Sequence, residues 1–261
     1  MFDIHGFLLC LIFILLCAVI TWGLSLVLNN VAIVDSLWPL LFIVAAFSYA
    51  AGLNQLELRS YMVLVLVTAW GTRLFLYLSW RNWGMAEDFR YQNVRKNNEP
   101  NFWIKSLYLV FGTQGALAWI ISLPLMAAVT GNTELGLLDW LGLVVWIVGF
   151  GFESLGDCQL ARFQRNPENK NRVLQSGLWR YTRHPNYFGD FCVWWGLYLI
   201  ALSAGGWWSI FSPILMTILL LKITGVLLLE KDIGKRRPEY SSYINHTNAF
   251  FPWPRKQPKN S

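Results

Sequence analysis

The chain alternates long apolar runs with short polar stretches. Runs long enough to cross roughly 30 Å of hydrocarbon fall at about residues 6–29, 32–51, 61–80, 103–128, 138–160, 187–205 and 207–230. They predict an all-α membrane protein with seven transmembrane helices. The first run lacks a Lys/Arg-rich start and has no small-x-small cleavage signal before Asn29, so it reads as a retained helix rather than a signal peptide.

The polar stretches give the expected orientation. Arg81, Arg90, Arg95 and Lys96 follow the third run. Arg162, Arg165, Lys170, Arg172, Arg180 and Arg183 follow the fifth, and Lys231, Lys235, Arg236, Arg237, Arg255, Lys256 and Lys259 follow the seventh. The alternate loops hold only Arg59. Lysine and arginine mark the cytoplasmic side of short loops, so seven spans place the N-terminus outside and the C-terminus in the cytoplasm.

Composition agrees: 55% of the 261 residues are hydrophobic, 15 are Trp and only 14% are charged, a profile of membrane rather than soluble proteins. Much of the net charge of +6 is accounted for by the positive-inside bias and needs no nucleic-acid partner. No repeat or linker divides the chain, so residues 1–261 read as one integral-membrane domain, and the Pro-rich end PWPRKQPKNS reads as a frayed tail. Cys10, Cys17, Cys158 and Cys192 show no C-x-x-C spacing, which argues against both a disulfide framework and a metal site.

Asp35, Arg73, Glu153, Asp157 and Lys222 fall inside apolar runs. Each costs on the order of 3 kcal/mol at the bilayer centre if left facing lipid, so they are expected to face the bundle interior, an aqueous cavity or the interface. Glu153 and Asp157 are four apart and share one helix face. They either pair with Arg162 and Arg165 at the membrane surface or accept hydrogen bonds from ribose or amide groups of a ligand. Gly149, Gly151 and Gly156 do not spell a dinucleotide fingerprint and suit close helix packing.

The stretch GLWRYTRHPNYFGD, residues 177–190, concentrates cations ahead of the sixth run. Pro185 fits the first turn of a helix. The free N–H groups of that turn, with Arg180, Arg183 and His184, make an anion site suited to phosphate. Asn186 and Asp190 add a polar stripe, and Tyr187 a hydroxyl or a stacking ring. A patch for anionic lipid head groups is the alternative, but the acids Glu153, Asp157 and Asp190 favour a ligand bearing both phosphates and hydroxyl or amide groups. Glu230 ends the last run, and Tyr240 and Tyr243 follow, three apart, with His246 beyond; an interfacial amphipathic helix is the competing account of that tail.

The 177–190 stretch resembles the signature of the steroid 5α-reductase superfamily, and most closely a bacterial branch of unassigned substrate. The likeness extends to Val34-Asp35-x-x-Trp38, to Glu-Asp-Phe-Arg-Tyr at 87–91, to Phe152-Glu153-x-x-x-Asp157-x-Gln159, and to the ending from Glu230 through Tyr240, Tyr243 and Pro252. The resemblance implies a seven-helix membrane enzyme that binds NADPH from the cytoplasmic side through about residues 138–261. It further implies reduction of a carbon–carbon double bond conjugated to a ketone, in a hydrophobic substrate entering from the bilayer. It also implies that Glu153, Asp157, Arg165, Arg180, Arg183, His184, Asn186, Tyr187 and Asp190 belong to the cofactor site, with Glu230, Tyr240 and Tyr243 closing it. No protein partner is implied, and in a bacterium the location is the inner membrane.

Two departures from the family pattern stand out. Asp190 occupies a position where the signature often has Glu. If Arg73 matches the arginine of the third helix, Trp70 replaces the family's substrate-holding tyrosine, and Asp35 takes the place of its glutamate. A poorly solvated carboxyl favours its neutral, proton-bearing form, so Asp35 is nominated as the acid at the substrate oxygen, with Arg73 and Tyr91 as further candidates. An ion pair with Arg73 that locks two helices is the structural alternative for Asp35. The core R-H-P-x-Y-x-G with a later Glu and Y-x-x-Y also resembles integral-membrane methyltransferases of the isoprenylcysteine and phospholipid type, which use S-adenosylmethionine.

Overall fold

Asp3 accepts a hydrogen bond from the Gly6 N–H at 3.0 Å and so caps helix α1 (Ile4–Leu28), which Asn29 ends in a left-handed conformation. The computed structural model describes residues 3–223, 230 and 239–255. A 3-10 turn, Val31–Ile33, leads into α2 (Val34–Ala51), and α3 (Leu58–Asn82) comes next. Asp88 caps the short α4 (Phe89–Asn97) by accepting the Arg90 N–H at 2.8 Å.

The fourth apolar stretch is not one regular helix. It runs as α5 (Phe102–Ser106), a π turn at Leu107–Gly112, α6 (Thr113–Ile121) and α7 (Leu123–Val129). Then come α8 (Leu137–Arg165), α9 (Pro185–Ser203), α10 (Phe211–Ile218) running into a second π turn at Leu219–Ile223, and α11 (Glu239–His246). Among the described residues there is no strand beyond an isolated bridge between Thr182 and Asn248.

Five helical stretches are long and apolar enough to cross a membrane: Ile4–Leu28, Val31–Ala51, Leu58–Asn82, Phe102–Val129 and Leu137–Arg165. They coincide with the first five predicted runs. The sixth run forms α9, which opens with PNYFGD and so carries Asn186 and Asp190 near its start, and Trp207–Lys222 is apolar but short. Residues 224–229 of the seventh run lie outside the described residues, as do Lys231, Lys235, Arg236, Arg237, Lys256 and Lys259.

The chain divides into two compact units, Met1–Asp139 with Ile200–Ser212, and Trp140–Leu199 with Pro213–Ser261. In the first, α1, α2, α3, α6 and α7 bury Val34, Leu41, Phe42, Val63, Val67 and Phe111, while Ile12, Ile20, Val27, Val65 and Leu76 stay exposed. Large apolar side chains on the outside of long apolar helices are the surface a bilayer covers.

One feature of this unit escaped the sequence. Arg59, expected in an outer loop, is buried with Asp139; Nε donates to Oδ1 at 2.7 Å and Nη2 to Oδ2 at 3.0 Å. Nη1 also donates to the Thr133 carbonyl and Nη2 to that of Glu134, each at 2.8 Å. Ser203 Oγ and the Gly136 N–H complete the shell of Asp139. The cation that stood against the positive-inside pattern is therefore neutralised inside the fold.

In the second unit α8 and α9 meet backbone to backbone. A Cβ on Gly189 would lie 2.4 Å from the Glu153 nitrogen and 2.6 Å from the Gly149 oxygen; one on Gly196 would lie 2.7 Å from the Gly142 oxygen. The glycines recur every seven residues, 142, 149 and 156 on one helix and 189 and 196 on the other, so each helix presents a smooth stripe to its partner. Gly149 and Gly156 thus play the packing role expected of them, whereas Gly151 has open space beside it. Phe188, Phe191, Phe250 and Phe251 form an edge-to-face cluster at the end of this packing.

Candidate functional site

The nominated residues fall into two groups, Asp35, Arg73 and Tyr91 in the first unit and the twelve assigned to the cofactor in the second.

In the first unit α4 lies against the start of α2, because Glu87 accepts the Val31 N–H at 2.9 Å and pairs with Arg95 at 2.8 Å. Burial alone would raise the Glu87 carboxyl, but the hydrogen bonds from Arg95 and Val31 and the charge of Arg95 outweigh it and hold the group below its usual range. Arg90 is aimed by Asp88, which it meets at 3.0 Å, and reaches Asp35 Oδ2 at 2.8 Å. The Tyr91 hydroxyl donates to Asp35 Oδ1 at 2.5 Å.

Asp35 is thus an acceptor at both oxygens, and its guanidinium partner is Arg90 rather than Arg73. Burial, then the charge of Asp35 and the hydrogen bond to it, push the Tyr91 phenol well above its usual range. Tyr91 therefore keeps its proton and is the donor of the pair. The guanidinium of Arg73 lies 5.4 Å from the Tyr77 ring centre, and Trp70 is buried with its ring tilted on Phe42. Arg90 belongs to the 87–91 match and to the basic loop but was not among the nominated residues, since nothing local signals its partner 55 positions upstream.

In the second unit Pro185 opens α9, as its position before the apolar run predicted. The segment ahead of it is held from two sides. Gly177, at φ +61°, lets the chain turn under α8, where a side chain would collide with Gln159, and Gln159 accepts the Leu178 N–H at 2.9 Å. Trp179 Nε1 donates to the Gly156 carbonyl at 3.1 Å. From the other side residues 247–253 run alongside: Thr182 Oγ1 donates to the Phe250 carbonyl at 2.8 Å, Arg183 N–H to Asn248 at 2.9 Å and Trp253 N–H to Tyr181 at 3.0 Å. The described part of the PWPRKQPKNS tail, residues 252–255, is therefore held rather than frayed, by the Trp253 N–H on Tyr181 and by Arg255 Nη2 on Gln175 Oε1 at 2.7 Å.

Arg183 and His184 are buried, and both turn to Glu230. Arg183 Nε and Nη2 meet its two oxygens at 2.7 and 2.9 Å, and His184 Nε2 lies 3.0 Å from Oε1. Arg183 Nη1 also donates to the Thr247 carbonyl at 2.5 Å. Tyr240 donates to Glu230 Oε1 at 3.2 Å, while Tyr243 donates to the carbonyls of Trp179 and Thr182. Both tyrosines are buried in contact with each other. The interfacial-helix account of this tail does not describe α11, whose tyrosines face protein.

The His184 and Tyr187 rings lie parallel, 5.6 Å apart. Glu153 and Asp157, each 3% exposed, stand one turn apart on α8, and Asn186 Nδ2 donates to Asp157 Oδ1 at 3.2 Å. Asp190 is half-buried on α9, and Arg165 and Arg180 are exposed. Buried carboxylates with an amide opposite suit the hydroxyl and amide groups of a nucleotide, so the residues present fit such a cofactor. A concavity of about 330 Å³ at the end of α8, lined by Phe163, Gln164, Asn166, Asn169 and Lys170 among others, contains none of the nominated residues.

Comparison with known proteins places residues 21–247 in a family described as a protein of unknown function, DUF1295. A protein of the fission yeast Schizosaccharomyces pombe, described as uncharacterized, is 28% identical over 270 aligned positions, which cover 89% of this chain and 76% of the relative. No solved structure matches the chain. With the family match running from α1 through α11, this chain belongs to the DUF1295 family.

Proposed function

We propose that the chain is a seven-span membrane enzyme, N-terminus outside and C-terminus cytoplasmic. In this proposal it reduces, at the expense of NADPH, a carbon–carbon double bond conjugated to a carbonyl in a lipidic substrate of steroid-like or isoprenoid type. The observation that carries the assignment is the burial of acids and bases together ahead of α9. Arg183 and His184 share Glu230 with Tyr240, and Asn186 meets Asp157. A head-group patch has no use for buried carboxylates, and its cations face outward.

NADPH supplies the hydride that reaches the carbon β to the carbonyl. The chain's own residues do the rest. Glu153, Asp157 and Asn186 take the hydroxyl and amide groups, and Arg165 and Arg180 the phosphates. Tyr187 and Asp190 border the site, and Arg183, His184, Glu230, Tyr240 and Tyr243 hold its wall. Tyr91, oriented by Asp35, donates to the substrate oxygen as it gains charge, with Arg73 as a further cation.

A second assignment, methyl transfer from S-adenosylmethionine, is favoured by one observation: Arg183 is already neutralised by Glu230, to which His184 also turns, and that cofactor carries no phosphate. Absorbance of NADPH at 340 nm, followed with conjugated ketones of sterol, isoprenoid and fatty-acyl type, tests the reductase. Consumption with at least one class is expected; none with any class sinks the proposal.

A further inference from the structure

Gln114 was not nominated from the sequence, yet two independent observations single it out. Its Nε2 lies 3.4 Å from the Tyr91 hydroxyl oxygen, long for an N–H···O bond, whose usual separation is about 2.9–3.0 Å. It also sits directly after the π turn Leu107–Gly112. A π turn adds a residue to the helical turn and so rotates the next helical residues away from the register the preceding helix sets; such turns cost regular hydrogen bonding and concentrate at functional positions. Thr113 Oγ1 compensates by donating to the Tyr108 carbonyl at 3.1 Å. The chain thus gives up a regular span at the place where a half-buried amide is turned towards a buried phenol.

We propose that Gln114 Nε2 and the Tyr91 hydroxyl together form a two-donor cradle for the carbonyl oxygen of the substrate. This rests on the reductase assignment above. Two donors 3.4 Å apart both reach an oxygen seated about 2.9 Å from each. The Tyr91 hydroxyl swings its proton from Asp35 to that oxygen, and Arg90, 2.8 Å from Asp35, leaves the carboxylate with a charged partner. As the β-carbon receives the hydride and the double-bond electrons move to the oxygen, two preorganised donors meet the developing enolate charge. The α-carbon then takes its proton from water. Asp35 and Arg90 touch Tyr91 rather than the substrate and are positioning residues.

The test uses purified full-length protein, NADPH and whichever conjugated ketone the wild type consumes, carrying a 13C-labelled carbonyl. Gln114→Met and Gln114→Leu each remove the donor, the first with the length of the side chain kept. Both are expected to lower kcat by about 100-fold with NADPH affinity unchanged. The carbonyl stretch of the bound ketone should shift up towards its value in a non-donor solvent. Wild-type kcat within threefold and an unmoved stretch in both variants overturn the cradle while the reductase stands. Loss of NADPH affinity in step with kcat also overturns it, since Gln114 is then structural. A wild type that consumes no NADPH with any ketone overturns the reductase assignment and the cradle with it.

Discussion

Arg183 grips Glu230 through two parallel hydrogen bonds, Nε to Oε1 at 2.7 Å and Nη2 to Oε2 at 2.9 Å. The planar guanidinium matches the carboxylate edge to edge. His184 and Tyr240 converge on Oε1, so Glu230 ties the start of α9 to α11.

Removing the carboxylate leaves a buried guanidinium without its counter-charge, which typically costs about 3–5 kcal/mol. Glu230→Ala is therefore expected to unfold at markedly lower denaturant concentration in detergent, and to expose residues 239–255 to protease. Arg183→Lys should show a milder form of the same effect, since a lysine cannot bond both oxygens in the same plane. Unchanged stability of Glu230→Ala would show that this junction is dispensable.

Asp35 accepts from both Arg90 and Tyr91, and the proposed chemistry needs that arrangement. Asp35→Asn should nearly abolish turnover, a loss of roughly 100-fold or more, with NADPH affinity intact. Tyr91→Phe should match it. Misfolding of Asp35→Asn, with Tyr91→Phe fully active, would make the pair a helix lock instead.

The apolar runs made the five membrane-length helices legible, because the length of an apolar run is a local property of the chain. Pro185 likewise marked the start of α9 by its own backbone chemistry. Pairings across the sequence were not legible. Arg183 looked like half of an anion site because its partner lies 47 positions on, and Arg59 looked like an outer-loop charge because Asp139 is 80 positions away. The π turn at Leu107–Gly112 left no mark either: its residues fit a regular apolar span, and the irregularity lies in the backbone alone.

The Arg59–Asp139 pair supplies a sharper stability test. Arg59→Met alone strands a buried carboxylate and should cost about 3–5 kcal/mol, whereas Arg59→Met combined with Asp139→Leu should recover much of that loss. Additive damage in the double variant would show that the bonds to Thr133, Glu134, Ser203 and Gly136, rather than the ion pair, carry the loss.

Close approach of α8 and α9 predicts that Gly196→Ala, which would bring a methyl 2.7 Å from the Gly142 oxygen, costs about 1–3 kcal/mol by overpacking. Gly151→Ala, with open space beside it, should be neutral. Comparing thermal unfolding of the two variants decides the matter, and equal effects would remove the stripe from the account.

Glu87 titrates below the usual glutamate range in the folded chain. A carboxyl lowered on folding adds stability at pH above its unfolded value and loses it as pH falls through the folded one. The docking of α4 should therefore weaken progressively below about pH 4.3, and Glu87→Gln should flatten that dependence. Hydrogen exchange across residues 88–97 reads the effect, and an identical acid profile in the variant would rule out Glu87 as its source.

Calorimetric titration of the purified, detergent-solubilised full chain with NADPH, NADH and S-adenosylmethionine reads the identity of the cofactor directly. Saturable binding of NADPH and none of S-adenosylmethionine is expected. Binding of the methyl donor without NADPH would contradict the reductase assignment and make the buried Arg183–Glu230–His184 junction part of a methyltransferase.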